Sequence, residues 1–178
     1  KKIEHLWNSL TEDSLNLDEA MFFMSRNADY LRSSRSFLVA AKGSFDIETW
    51  MEDRFQGNLF RHSNVGRAKE MIDGANRNLK LAHKELVCVS NLKFEIESFE
   101  TCLVKFLDAL FDDIFLDGRI ERTIPVTEQA IRDAEARLTK LRRRREQLHK
   151  RLERAERSRV SLFQRLGGEK RGRVALSS

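Results

Sequence analysis

Apolar residues recur at alternating steps of three and four over two long stretches of the chain. In the first stretch, eleven of thirteen seam positions are apolar, and the exceptions are Lys93 and Glu100. The seam runs through Ile72, Ala75, Leu79, Ala82, Leu86, Val89, Lys93, Ile96, Glu100, Leu103, Leu107, Leu110 and Ile114. Such a heptad pattern is typical of a coiled coil, and it predicts a long helix C that ends near Gly118.

A second heptad seam follows Pro125 and predicts helix D, from Thr127 to about Leu166. The proline disfavours helix at the residue before it, and Thr127 is a suitable N-cap for a new helix. The seam runs through Ile131, Ala134, Leu138, Leu141, Arg145, Leu148, Leu152, Ala155, Arg159, Leu162 and Leu166.

The two long seams predict an antiparallel coiled-coil hairpin over residues 65–166, with its turn near 117–126. That alignment brings Glu100 of helix C level with Arg145 of helix D. A charge inside a coiled-coil seam is costly unless it is paired, but it fixes the register. Because each seam has a charged residue at the same level, we predict that Glu100 and Arg145 pair and fix the register of the two helices. Pairing of helix D between two chains stays an alternative.

Shorter helices are predicted before the hairpin, within residues 1–64. Helix A covers residues 17–42, with a capping-box-like start at Asn16 and a stop at Gly43. A short helix B begins after Asp46 and ends at Gly57, and the polar stretch "NLFRHSN" separates it from helix C. The predicted fold class is therefore all-α, a helical bundle in which these helices pack on the hairpin. Residues 167–178 form a basic flexible tail.

The composition of the chain favours helices and bears on its cellular location. The 178 residues include only 1 Pro and 8 Gly, while 34% of residues are charged. No run of 18 apolar residues predicts a transmembrane helix. Cys88 and Cys102 would lie roughly 21 Å apart on one helix, too far for a disulfide. Reduced thiols and a cytoplasmic location follow as the simpler expectation.

The four consecutive arginines Arg142–Arg145 suggest a binding site for an anionic partner. Residues 126–178 contain 16 Lys and Arg against 7 Asp and Glu, so the C-terminal part is strongly basic. Four consecutive helical residues point about 100° apart, however, so the favoured interpretation is a solvated coiled-coil exterior. Nucleic-acid phosphates are one alternative ligand, with backbone contacts only, because aromatic residues for base stacking are almost absent after Phe115. A membrane surface or an acidic protein partner is the other alternative. The candidate phosphate contacts are Arg142, Arg143, Arg144, Lys170, Arg171 and Arg173.

An aromatic and acidic segment at the end of helix C is the candidate protein-binding face. Its phenylalanines lie beside the heptad seam and widen the apolar surface, which predicts a third helix packed there. The candidate partner-binding residues are Phe99, Phe106, Phe111, Phe115, Asp112 and Asp113. Helix A, with Phe22, Phe23 and Phe37, is the intramolecular alternative to a partner protein.

No motif for catalysis, metal binding or cofactor binding is found in the sequence. The four histidines share no ligand spacing, and the acidic residues of helix C have no histidine nearby to complete a metal shell. We therefore expect a non-enzymatic scaffold or adaptor, without cofactor or small-molecule substrate, that binds a protein partner or forms a homo-oligomer. The alternatives are an accessory protein on nucleic-acid backbone and a helical chaperone or secretion partner.

Overall fold

Three helices account for the part of the chain that the computed structural model describes, residues 2–48, 54–89 and 120–175. They are α1 (Lys2–Glu48), α2 (Arg54–Cys88) and α3 (Ile120–Ala175). Side chains are described for residues 2–43, 62–89 and 120–164. No strand occurs in these ranges, and the helices pack against one another. The predicted all-α helical bundle is thus confirmed.

Helix α1 is the central element, because α2 and α3 both pack against it. Asn27 of α1 lies level with Ala75 of α2, and the register runs antiparallel. Helix α3 is also antiparallel to α1, since Glu121 pairs with Lys42 while Arg145 pairs with Asp18. Helices α2 and α3 therefore run parallel to each other. Across the described residues, no Cα atom of α2 comes within 8 Å of one in α3.

The buried side of α1 follows a heptad rule over ten positions. Large apolar side chains occupy one column, and small or polar side chains occupy the column that follows three residues later. All ten are buried: Leu10, Leu17, Met24, Leu31 and Leu38 in the first column, and Asp13, Ala20, Asn27, Ser34 and Ala41 in the second. Asn27 donates a hydrogen bond of 2.8 Å from Nδ2 to the carbonyl oxygen of Ala75. The second column therefore faces α2 and lets its backbone approach closely.

The first half of the predicted helix C seam is confirmed as buried. Its six described positions, Ile72, Ala75, Leu79, Ala82, Leu86 and Val89, are all in the core. Over these residues the partner is α1, whereas the sequence predicted pairing with helix D. The pairing predicted for residues 90–114, including Glu100, lies outside the described residues.

Gly74 lies at a close contact between α1 and α2. A Cβ atom added there would lie 2.8 Å from Cδ1 and Cε1 of Tyr30, whereas one added at Gly66 would meet nothing within 4 Å. Replacing an exposed helical glycine by alanine should stabilise a helix by about 1 kcal/mol. We expect that gain for Gly66→Ala, but a loss of roughly 1–3 kcal/mol for Gly74→Ala, because the Tyr30 ring must move.

Urea unfolding of the two variants would measure this difference. The gain in helix propensity is the same at both positions, so Gly66→Ala is a matched control. Equal stabilisation by both substitutions would contradict the close packing of Tyr30 on Gly74.

The predicted ends of helices A and B are wrong. Helix α1 continues through Gly43 and Asp46 to Glu48, and α2 begins at Arg54 and passes through Gly57 and the whole "NLFRHSN" stretch. A single glycine costs a helix only about 1 kcal/mol. Burial of Leu38 and Ala41 just before Gly43 stabilises the helix by more than that.

Pro125 does not separate two elements as predicted. Helix α3 begins at Ile120 and includes the proline, so Thr127 is not an N-cap and residues 120–126 form helix instead of a turn. Pro125 is exposed, so water can satisfy the carbonyl group that its missing N–H would have bonded. Thr127 is buried, and its hydroxyl donates a 2.9 Å hydrogen bond to the carbonyl of Thr123. At the other end, α3 continues past Leu166 to Ala175, where a flexible tail was predicted.

Candidate interaction surfaces

The predicted candidate residues divide into those that the structure describes and those that it does not. The aromatic and acidic face lies outside the described residues, namely Phe99, Phe106, Phe111, Phe115, Asp112 and Asp113. Among the phosphate candidates, Arg142, Arg143 and Arg144 are described with their side chains. Lys170, Arg171 and Arg173 lie in the helical part of α3, but their side chains are not described.

A ladder of ion pairs joins one edge of α3 to α1. The pairs, with their nitrogen–oxygen distances, are Lys42–Glu121 at 2.9 Å, Arg35–Glu128 at 2.7 Å, Arg32–Glu135 at 2.6 Å and Arg145–Asp18 at 2.5 Å. At the far end, the Arg159 guanidinium lies 4.4 Å from the centroid of the Trp7 ring. The hydrogen bond to Glu135 raises the pKa of Arg32 above its ordinary value. Exposed pairs each contribute less than about 1 kcal/mol, so the ladder aligns the helices more than it stabilises them.

Arg145 does not lie in a buried seam. Its side chain is 55% exposed, and it forms its ion pair with Asp18 of α1 at the surface. The predicted seam position of Arg145 is therefore exposed, and α1 supplies its acidic partner in the described part of the chain. Glu100, the other member of the predicted register pair, lies outside the described residues.

The outward side of α3 carries a row of cations, which we call the α3 basic stripe. Its members are Lys140, Arg143, Lys150, Arg151 and Arg154, and all five are exposed. Lys150 and Arg154 lie within about 20° of Arg143 around the helix, on the side away from the buried Leu141 and Leu148. Lys140 and Arg151 lie about 60° and 80° from Arg143 toward one flank, and Glu146 and Glu153 lie about 60° and 80° toward the other. From Lys140 to Arg154 the stripe is about 21 Å long at 1.5 Å per residue.

The four consecutive arginines 142–145 point in different directions around α3 and have different neighbours. Arg145 turns toward α1, and Arg144 is half-buried and donates a hydrogen bond to Gln147. Arg142 is exposed but lies about 100° from Arg143 around the helix, on the flank that also carries Glu146. Only Arg143 of the four points straight outward. The sequence signal for the stripe was the spacing of 7 and 11 residues from Arg143, which reaches Lys150 and Arg154.

A second exposed surface lies on α1 and α2, and we call it the α1–α2 patch. Leu15 and Phe22 are 61% and 59% exposed and lie seven residues apart, hence on the same side of α1. The Phe22 ring packs edge-on against Phe23, with ring centroids 5.5 Å apart. Leu81 of α2 is 41% exposed. Gly74 of α2 lies against Tyr30 of α1, and the two helices are antiparallel. Leu81 is seven residues after Gly74, and Phe23 is seven residues before Tyr30. Leu81 therefore lies level with Phe23.

The His, Cys, Asp and Glu side chains of the described residues are scattered. No three His, Cys, Asp or Glu side chains within residues 2–48, 54–89 and 120–175 are close enough to hold a metal ion. Over the same residues, no helix has the length and apolar character needed to cross a membrane. Cys88 carries a free, exposed thiol, and Cys102 lies outside the described residues.

Comparison with known proteins adds no relative. No protein-family model, curated protein or solved structure matches the chain.

Proposed function

We propose that this protein is a non-enzymatic helical scaffold or adaptor that binds another polypeptide along the side of its bundle. The observation that supports this proposal most is the α1–α2 patch. Leu15 and Phe22 stand more than half exposed on one side of the central helix, beside Phe23 and level with Leu81. A group of exposed apolar side chains on one side of a bundle is typical of an interaction surface. Burying Leu15 and Phe22 fully would contribute roughly 1.5–3 kcal/mol each to binding.

The length of the helices suits an adaptor. Helix α1 has 47 residues, which corresponds to about 70 Å at 1.5 Å per residue. A straight side of that length offers a partner helix many turns of contact, as in helix-in-groove recognition. The aromatic and acidic face around Phe106 and Asp112, and the coiled-coil pairing of helices C and D, belong to this proposal as further expectations. The exposed thiol of Cys88 supports a reducing, cytoplasmic location.

Site-specific photocrosslinking in the cells that express the protein tests the proposal. A photoreactive phenylalanine analogue at position 22 should yield a covalent adduct of higher mass, because Phe22 would be covered by the partner. Ser33 is the matched control position. It is exposed on the same side of α1, three turns beyond Phe22 and away from the patch.

Mass spectrometry of the adduct would identify the second polypeptide, including a second copy of this chain. A full-length protein that gives no adduct from position 22 would contradict the proposal. Equal adduct yields from positions 22 and 33 would also contradict it, since they would indicate random collision.

A further inference from the structure

We infer that the α3 basic stripe binds the phosphate backbone of duplex nucleic acid. Arg143, Lys150 and Arg154 form a row on the outward side of one helix, and Lys140 and Arg151 extend it on one flank to a length of about 21 Å. This surface lies on a different helix from the α1–α2 patch, so the inference does not rest on protein binding.

The stripe residues are available for an external anion, unlike other cations of α3. Arg145 pairs with Asp18, Arg157 with Glu153 and Arg159 with Glu156. No acidic side chain of the described residues forms an ion pair with any of the five stripe residues, and all five are exposed. None of the five charges therefore forms an ion pair within the described part of the protein.

The residues between the cations indicate which anion fits. Position 147 on the same side carries Gln, and no Phe, Tyr or Trp occurs from Lys140 to Arg154. A protein interface depends on buried aromatic or apolar anchors, and a helix that lies embedded in a membrane surface needs an apolar face. Single-stranded nucleic acid is held largely by base stacking on aromatic rings. A duplex backbone needs only positive charge and hydrogen-bond donors, which this stripe supplies.

The spacing of charges sets the expected strength. Duplex DNA carries one charge per about 1.7 Å of axis, so the row faces more phosphates than its five side chains can contact. With four or five phosphates neutralised, log affinity should fall with log salt at a slope of about −4. Binding should be independent of base sequence, because contacts to phosphate carry no sequence information.

Fluorescence anisotropy of the full chain with a mixed-sequence DNA duplex, over a series of salt concentrations, tests the inference. The triple variant Arg143→Gln, Lys150→Gln, Arg154→Gln should reduce the steepness of the slope by about 3. The matched control is Arg77→Gln, Lys80→Gln, Lys84→Gln on α2, which removes the same charge from exposed positions. It should leave the slope unchanged, because we place the phosphate contacts on α3 and not on α2. Circular dichroism should show both variants as helical as the wild type.

Single substitutions make the test sharper. Arg143→Gln should reduce the steepness of the slope by about 1, whereas Arg142→Gln should leave it nearly unchanged, although the two arginines are adjacent. Equal effects at the two positions, or in the two triple variants, would overturn the assignment to the stripe. Failure of the wild type to bind the duplex at low salt would overturn it as well.

An acidic peptide of poly-glutamate separates nucleic acid from an acidic protein. If it binds as tightly as the duplex at the same ionic strength, and the stripe variant loses both, nucleic acid is the wrong partner. Photocrosslinking from position 22 should be unaffected in the stripe variant. The protein-binding proposal and the nucleic-acid proposal can therefore fail independently of each other.

Discussion

Leu17→Ala should destabilise the protein by about 2–5 kcal/mol, whereas Leu15→Ala should change its stability by less than about 0.5 kcal/mol. Leu17 is 0% exposed at the centre of the α1 seam, and Leu15 is 61% exposed two residues earlier. The buried substitution removes contacts and leaves a cavity between α1 and its neighbours. The exposed one removes a side chain that already lies in water.

The free energy of unfolding in urea measures both effects. The chemical change and the change in helix propensity are the same for the two variants, so their difference reports burial alone. Similar losses at positions 15 and 17 would mean that the heptad columns of α1 are assigned to the wrong side of the helix.

Asn27→Asp should cost about 3 kcal/mol or more at neutral pH, although the two side chains have nearly the same shape. Asn27 is 2% exposed, and its Nδ2 donates to the carbonyl oxygen of Ala75 at 2.8 Å. A carboxylate there would place a negative charge against an acceptor, without a donor and away from water. The bond that joins α1 to α2 at this level would become a repulsion.

The loss should depend on pH in a defined direction. Burial raises the pKa of the introduced carboxyl group above its unfolded value of about 3.9. Below that unfolded value the group is protonated in both states and can donate to the Ala75 oxygen, so the variant should approach wild-type stability. The deficit should grow as pH rises through the raised folded pKa and then stay constant.

Urea unfolding of variant and wild type across this pH range measures the deficit. Ser33→Asp on the exposed side of α1 is the control, and we expect it to differ from the wild type by less than about 1 kcal/mol at every pH. A deficit for Asn27→Asp that does not change with pH would show that the introduced carboxylate is solvated.

The periodicity of the chain predicted its helices better than its breaks. Leu17, Met24, Leu31 and Leu38 recur at helical spacing within the predicted helix A, and all four are buried. Gly43 and Pro125 were expected to end or bar helices, and both lie inside them. Each is a local preference of about 1–3 kcal/mol, and burial of neighbouring heptad positions outweighs it. Such a balance depends on tertiary contacts that a local pattern does not contain.

The choice of partner helix was less predictable than the seams themselves. A heptad seam shows that a helix has a partner but not which helix it is. The match between Glu100 and Arg145 drew attention to helices C and D, yet Asp18 supplies the acidic partner of Arg145. The missed signal was the column of small residues on α1, such as Ala20 and Ala41, which marked a close-packed neighbour.

The sequence predicted that helix D could bind phosphate, but not which of its basic residues point outward. The excess of basic residues after Val126 indicated an anion-binding helix, and consecutive arginines drew attention to Arg142, Arg143 and Arg144. The direction of the core, set by Leu141 and Leu148 against α1, decides which cations point outward. It replaces Arg142 and Arg144 with Lys150 and Arg154, seven and eleven residues beyond Arg143.

The central position of α1 also orders the assembly of the chain during synthesis. Contacts of α1 with α2 join residues 48 apart in sequence, as at Asn27 and Ala75, whereas Asp18 and Arg145 are 127 apart. Closing the longer loop costs about 1 kcal/mol more in chain entropy, and α3 leaves the ribosome after α1 and α2. The nascent α1–α2 pair therefore exists for a time with the α3-facing side of α1 open to water. That side, with Trp7 along it, is then exposed to aggregation or to capture by a chaperone.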